Sequence, residues 1–399
     1  MARRKSTRAY RYLIVGGGLT ADAACKGIRE RDHEGSIGVV AEEPHPPYAR
    51  PPLSKALWKG EKEDTIWRGT ADLGVDLRLA RTIVSLDLPA RQAVDNSGET
   101  YAYERLLLAT GGRPRRLAFG GEEVIYYRTL DDYRRLRALV DVGARFVVVG
   151  GGFIGSEIAA ALTMNGCSVS MVFPDPGIGA RIFPPDLSAS VTEYYRGKGI
   201  EVLAGASVTG IERTEGVARV TTKHGRTLDA DVVVAGLGIE PNTELATDAG
   251  LPVENGIPVD EAGRVGGHED VFAAGDVARF PVAALGGSMR VEHEDHAKTH
   301  GRLAGKNMAG ADERYEHLPF FYSDLFDLGY EAVGDLDARH ETVADWEEPN
   351  HKGVVYYLDG RRHPRGVLLW NLFGHVDAAR DLIRAHQPIE ASTLSGPVG

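Results

Sequence analysis

Hydrophobic residues in this chain gather into short β-branched runs, and two of those runs stop on a triplet of glycines. The first, "YLIVGGGLTADAACKGIRE", puts Gly16, Gly18 and Ala21 at the positions of a G-x-G-x-x-G/A fingerprint. The second, "FVVVGGGFIGSEIAAAL", puts Gly150, Gly152 and Gly155 there. Each has a strand before it and a helix after it. The first glycine permits the tight strand-to-helix turn, the second lets backbone approach a pyrophosphate, and the third position lets helix pack close to strand. The helix N-terminus then faces the phosphates with its partial positive charge. Two copies in this context predict two bound nucleotides. The first strand is predicted to begin at about Tyr12. Three later apolar runs, "YERLLLATGGRPRRL", "VVVAGLGIEPNTELA" and "DVFAAGDVARF", read as strands ending in turns. Alternation in "GVVYYL" and "GVLLWNLF" predicts an antiparallel sheet towards the C-terminus.

These elements predict an α/β chain with two Rossmann-like dinucleotide-binding domains plus a C-terminal α+β domain. The 399 residues suffice for two or three cores, and 46 basic against 57 acidic residues leave a net charge of −11. That balance argues against nucleic acid or an anionic membrane surface as partner. Basic residues crowd the start (Arg3, Arg4, Lys5, Arg8, Arg11), but no apolar segment follows them, so they read as a solvated tail. No apolar run reaches the roughly 20 residues of a membrane span. Only Cys25 and Cys167 occur, neither in a CxxC arrangement, so a redox dithiol is not expected and both read as small buried hydrophobes. The expectation is a reduced, cytoplasmic protein.

A dinucleotide fold carries an acid at the end of its second strand to accept hydrogen bonds from a ribose. "SIGVVAEEP" offers Glu42, with Glu43 beside it, and "CSVSMVFPDP" offers Asp175. A carboxylate at Asp175 would repel a 2′-phosphate, which favours NADH over NADPH. Arg181 lies close in sequence and weakens that preference, since a mobile guanidinium can neutralise such a phosphate; NADPH stays open. His296 and His300 of "HEDHAKTH" share a helix face, but the spacing is not that of a metalloprotease motif, and no metal is expected.

Taken together and in order, the first fingerprint, Thr110-Gly111 of "ATG", the second fingerprint and Gly275-Asp276 of "GD" resemble two-dinucleotide flavoproteins. That resemblance implies an FAD domain at 1–118 and 242–315, an NAD domain at 119–241 and a C-terminal domain at 316–399. Asp276 would bind the ribityl and pyrophosphate end of FAD, and the segment around Glu240 would lead back from the NAD to the FAD domain. Further stretches, "PPYARPPLSKALW", "RVEHEDHAKTHGRLAGKNMAG" and "FFYSDLFDLGYEAVGD", make nearly the whole chain similar to the pyridine nucleotide-disulfide oxidoreductase family. Within it the chain is most similar to the branch of apoptosis-inducing factor and the oxygenase-coupled ferredoxin and rubredoxin reductases.

By matching position, the resemblance implies that Arg50 and Lys55 contact FAD and that Glu157 pairs with Lys55. It also implies that Phe153 lies against the nicotinamide and that Glu292 and His293 border nicotinamide and flavin. Tyr322 stands where the family pattern has Trp. The activity implied is transfer of hydride from NADH to flavin N5, then of electrons to a second acceptor: a ferredoxin or rubredoxin, a quinone, oxygen or a small radical. Disulfide substrates are disfavoured, because "HPPYARPPLSK" has no cysteine. An acidic carrier would need a basic docking patch, which Arg134, Arg135 and Arg137, or Arg361, Arg362 and Arg365, could form, although such runs are usually solvated faces. The alternative implied by the factor itself is a redox-gated interaction protein with a long-lived NADH complex and slow turnover. A homodimer stays open.

Overall fold

A computed structural model describes residues 7–390 and Val398. Arg3, Arg4 and Lys5 lie outside the described residues. Arg8 and Arg11 do not belong to a tail: the first strand is Thr7–Val15, longer than the apolar pattern suggests. Both are matched by acids, with Arg8 Nε 2.8 Å from Glu99 Oε1 and Arg11 Nη1 2.8 Å from Asp32 Oδ2.

By internal contacts the chain forms two compact units, residues 1–49, 64–113 and 240–319 in one, and 50–63, 114–239 and 320–399 in the other. The first is built on a seven-stranded sheet. Thr7–Val15 pairs in parallel with Ile37–Val40 on one side and with Thr100–Leu108 on the other. Thr100–Leu108 in turn carries the antiparallel Gln92–Asp95 along its first half and the parallel Val271–Ala273 along its second. Leu13 and Val15 face one apolar cluster while Tyr12 and Ile14 face another. A central strand covered on both faces reads as a continuous apolar run rather than an alternating one.

The second unit contains a five-stranded parallel sheet in the order Glu201–Ala204, Val169–Phe173, Phe146–Val149, Val232–Ala235, Val124–Tyr126. It also contains a five-stranded antiparallel sheet in the order Phe320–Leu325, Leu328–Gly334, Pro364–Trp370, Lys352–Leu358, Glu341–Glu348. The antiparallel sheet is where the alternation predicted it. Its central strands are nevertheless almost wholly buried, because Trp370 stacks on Tyr330 at 5.7 Å and meets Phe183 at 5.3 Å, while Ile383 of the helix Val376–Ala385 is also buried in this unit. By contact the segment from Phe320 groups with the second fingerprint.

Within the first unit, the helix Glu294–Met308 buries His296 and His300 completely. His296 stacks on Phe280 at 4.2 Å, and its Nδ1 lies 2.9 Å from the Tyr315 hydroxyl. Desolvation lowers both rings, His300 to about 3 and His296 well below the usual histidine range. They are neutral when folded, so below about pH 6.5 the unfolded chain takes up protons that the folded one refuses. Each ring thus contributes stability that is present at pH 7 and lost as pH falls, by about 1.4 kcal/mol per pH unit. Thermal unfolding should show Tm falling from pH 6.5 to pH 5, and His300→Leu should make that fall shallower. An unchanged slope in the variant would contradict the buried neutral ring.

Candidate functional site

Both fingerprints fold as strand, turn and helix. The helices are Leu19–Arg29 and Phe153–Met164, with Gly18 and Gly152 in extended backbone at their N-caps. Gly16 adopts φ +119° and Gly150 φ +122°, and a Cβ there would fall 2.1 Å from the Ala109 carbonyl oxygen and 2.3 Å from the Gly236 carbonyl oxygen. A side chain at either would drive the neighbouring strand away. At Gly155 a Cβ would lie 2.1 Å from the Gly150 carbonyl oxygen, while Ala21, its counterpart, is fully buried. By contrast, a Cβ at Gly18 or Gly152 would meet nothing within 4 Å. Each turn is closed behind and open in front, with backbone amides and a helix N-terminus on the open side. These two cradles fit the pyrophosphates of FAD and of a nicotinamide dinucleotide.

Around the first cradle, in its own unit, stand the residues of the ATG and GD turns. Thr110 Oγ1 donates to the Asn242 carbonyl at 2.7 Å, and Asn242 returns a bond from Nδ2 to the Thr110 carbonyl at 2.9 Å. The Asn242 amide also donates to the Gly111 carbonyl at 3.0 Å. Asn242 is thus the residue that pins the ATG turn, a role the apolar patterns do not reveal. Gly275 packs on Thr20 of the fingerprint helix, which brings Asp276 beside it. Glu42 is exposed, two residues past the strand Ile37–Val40, and Glu43 accepts a bond from the Tyr48 hydroxyl at 2.5 Å. Glu292 is held by Arg290 at 2.9 Å, and Arg290 also donates to the Asp276 carbonyl. His293 forms the N-cap of Glu294–Met308, and desolvation lowers it to about 4 against the upward pull of Asp276 and Asp295. Glu240 stands apart, half-exposed and engaged by Arg113 at 2.8 Å. Among the described residues, no three His, Cys, Asp or Glu side chains converge as a metal site.

The second unit gathers Lys55, Glu157, Phe153 and Tyr322. Lys55 Nζ donates to Glu157 Oε1 at 2.7 Å, with both side chains largely withdrawn from water. Glu157 is the fifth residue of its helix, beyond the first turn, which contains no acid. The helix dipole, whose field fades within one turn, does not hold its charge; side-chain donors do. Two of those donors went unrecognised in the sequence. Ser54 Oγ donates to Oε2 and Ser323 Oγ to Oε1, each at 2.5 Å. Burial first and the Glu157 charge second push the Tyr195 and Tyr330 hydroxyls well above their usual range.

Lys55 itself joins two short 3-10 turns, Pro51–Ser54 and Ala56–Lys59, at φ −129°, ψ −94°. The Leu53 carbonyl anchors that bend by accepting from Trp58 Nε1 at 2.6 Å and from the Tyr127 hydroxyl. Tyr322 lays its ring 5.2 Å from Lys55 Nζ, and Phe153 meets Phe321 edge-on at 5.3 Å. Phe153 and Tyr322 remain 40% and 37% exposed, an apolar surface suited to a stacked ring. Arg50 donates to the Arg128 carbonyl at 3.0 Å. Asp175 follows Val169–Phe173 and meets the largely exposed Arg181 at 3.4 Å. Of the candidate docking arginines, Arg134 pairs with Glu63, Arg362 with Glu341 and Arg365 with Asp335, so these sit in local ion pairs.

Residues 10–301 match the family model described as pyridine nucleotide-disulphide oxidoreductase. The chain belongs to that family. Residues 304–351 match a second model, the C-terminal segment of mitochondrion-associated apoptosis-inducing factor. The chain is 34% identical to apoptosis-inducing factor 1 of Dictyostelium discoideum, over 96% of this chain and 79% of that protein. It is also 34% identical to monodehydroascorbate reductase 3 of Arabidopsis thaliana, over 90% of this chain and 89% of the relative. Among solved structures, the ferredoxin reductase for the CYP199A2 system from Rhodopseudomonas palustris superposes with a TM-score of 0.88 at 30% identity, covering 96% of both chains. The covalent putidaredoxin reductase–putidaredoxin complex gives 0.88 at 29% identity, over 96% of this chain and 95% of that one. The protein is an FAD-dependent NAD(P)H oxidoreductase that passes electrons to an acceptor.

Lys55→Ala and Glu157→Ala should each slow flavin reduction by NADH by about 100-fold, the scale of losing one preorganised charge, while FAD content is retained. Stopped-flow absorbance at the flavin band measures this. Unchanged rates in both variants would remove the pair from the reaction.

Proposed function

We propose that this protein is an NADH-specific reductase for a one-electron carrier of the iron–sulfur type. Bound FAD supplies hydride acceptance and stepwise electron release. In this reading Gly16, Gly18, Ala21, Glu42, Thr110, Gly111 and Asp276 hold FAD, and Arg50 contributes to the same cofactor. Gly150, Gly152, Gly155 and Asp175 hold the nicotinamide dinucleotide, with Phe153 and Tyr322 offering their exposed rings to flat partners. Lys55, oriented by Glu157, presents a fixed ammonium where negative charge develops, so no reorganisation is needed as charge arrives. Glu240, Glu292 and His293 complete the cofactor surroundings, His293 as a neutral imidazole.

The buried Lys55–Glu157 pair carries this reading, together with the absence of a dithiol to take the electrons. Cys25 is a buried thiol pushed up to about 12 by desolvation, which makes it inert, and Cys167 is likewise free. An iron–sulfur acceptor is favoured by the likeness to ferredoxin reductases over nearly the whole chain. Two free thiols suit a reducing, cytoplasmic compartment, and no helix among the described residues is long and apolar enough to cross a membrane.

A second reading, a redox-gated interaction protein, is favoured by the match of residues 304–351 to the C-terminal segment of apoptosis-inducing factor. Anaerobically reduced protein mixed with a ferredoxin separates the two. Reoxidation within seconds, slowed by added salt, supports the reductase; reduced protein that persists and changes its sedimentation supports the switch. For the donor, a carboxylate facing a 2′-phosphate costs several kcal/mol. Asp175→Ala should therefore lower the ratio of kcat/KM for NADH over NADPH by at least about tenfold. An unaltered ratio would remove Asp175 from nucleotide selection.

A further inference from the structure

The carboxylate of Glu157 has more partners than one ion pair requires. Lys55 and Ser323 share Oε1 at 2.7 and 2.5 Å, and Ser54 takes Oε2 at 2.5 Å. Both serines are buried, in a protein whose buried polar side chains are few. They come from distant parts of the chain: Ser54 ends the turn Pro51–Ser54 next to Lys55, and Ser323 lies on Phe320–Leu325 next to Tyr322. A lysine ammonium can only donate, so Oε1 must accept, and a hydroxyl sharing that oxygen is left to donate as well. A buried charge is tolerated only when its remaining lone pairs are also satisfied, and here the serines satisfy them.

We propose that Ser54 and Ser323 are positioning residues for the reaction, acting through Glu157 to set where the Lys55 ammonium stands. Two hydroxyls draw part of the carboxylate charge away from Lys55 and fix the plane of the carboxyl group. The ammonium is then neither pulled down onto Glu157 nor left to wander. Removing both hydroxyls leaves Lys55 as the sole donor to the carboxylate, which draws the ammonium inward and leaves a more negative environment around it. Ser323 gives the antiparallel sheet a part in hydride transfer that its sequence does not announce.

The inference rests on the proposed role of the Lys55–Glu157 pair, and a double-mutant cycle in the FAD-loaded protein tests it separately. Ser54→Ala/Ser323→Ala is compared in the native and Glu157→Gln backgrounds, with two readouts: the flavin midpoint potential by dye equilibration and the rate of reduction by NADH. Alanine differs from serine by one oxygen, and FAD content with Tm reports folding. In the native background the serine changes should make the potential more negative and slow reduction by about tenfold, the scale of a sub-ångström misplacement. In the Glu157→Gln background both effects should shrink to less than about twofold.

Effects of equal size in both backgrounds, a more positive potential, or no change in the native background would overturn the proposal. If Glu157→Gln alone leaves potential and rate unaltered, the pair's role fails first. If it alters them while the serines do not, only the serine inference fails.

Discussion

One buried carboxylate organises the second unit. Glu157 projects from the second turn of the fingerprint helix into protein, where an uncompensated charge is costly, and removing one member of a buried pair typically costs about 3–5 kcal/mol. The chain meets that demand with Lys55, Ser54 and Ser323. Satisfying Glu157 therefore draws the 50–63 segment and the strand Phe320–Leu325 to the same helix. Contacts group both with residues 114–239. Each segment supplies part of what the buried charge needs: Lys55 and Ser54 from 50–63, and Ser323 from the strand.

The first unit meets a different demand, the close approach of backbone to backbone. Gly16 abuts Ala109, Gly275 abuts the Thr20 side chain, and Gly301 and Gly305 lie against the backbone of Thr20 and Ala24. These approaches need no charge, and a Cβ at each glycine would clash, with backbone at Gly16, Gly301 and Gly305 and with the Thr20 side chain at Gly275. They leave Gly18 open in front while everything behind it is filled, which is how a phosphate cradle is made from backbone alone.

Much of this was legible in the sequence because the demands are local. A glycine forced to φ near +120° cannot be disguised, so both fingerprints read directly and their helices begin where the glycines end. The apolar runs "GVVYYL" and "GVLLW" located the antiparallel sheet, but both strands are buried almost throughout, so they carry no polar alternation. What stayed hidden depends on residues remote in sequence. Ser323 is an ordinary strand serine until the fold places it against Glu157, and Asn242 is an ordinary turn residue until it meets Thr110. Glu157 is a related case: it lies past the first turn of a helix that begins at Phe153, so its charge is met by donors from remote segments rather than by the helix start. The early start of the first strand was concealed because Arg8 and Arg11 in its less buried first half break the apolar pattern.

The central claim is that the bound flavin alone stores the reducing equivalents of NADH, without a thiol pair on the protein. Anaerobic titration of the purified, FAD-loaded protein with NADH, followed at the flavin absorbance band, tests it most directly. Complete reduction with one NADH per FAD is the predicted result. A second equivalent consumed before the end point, or a flavin band that NADH leaves unchanged, would contradict the account.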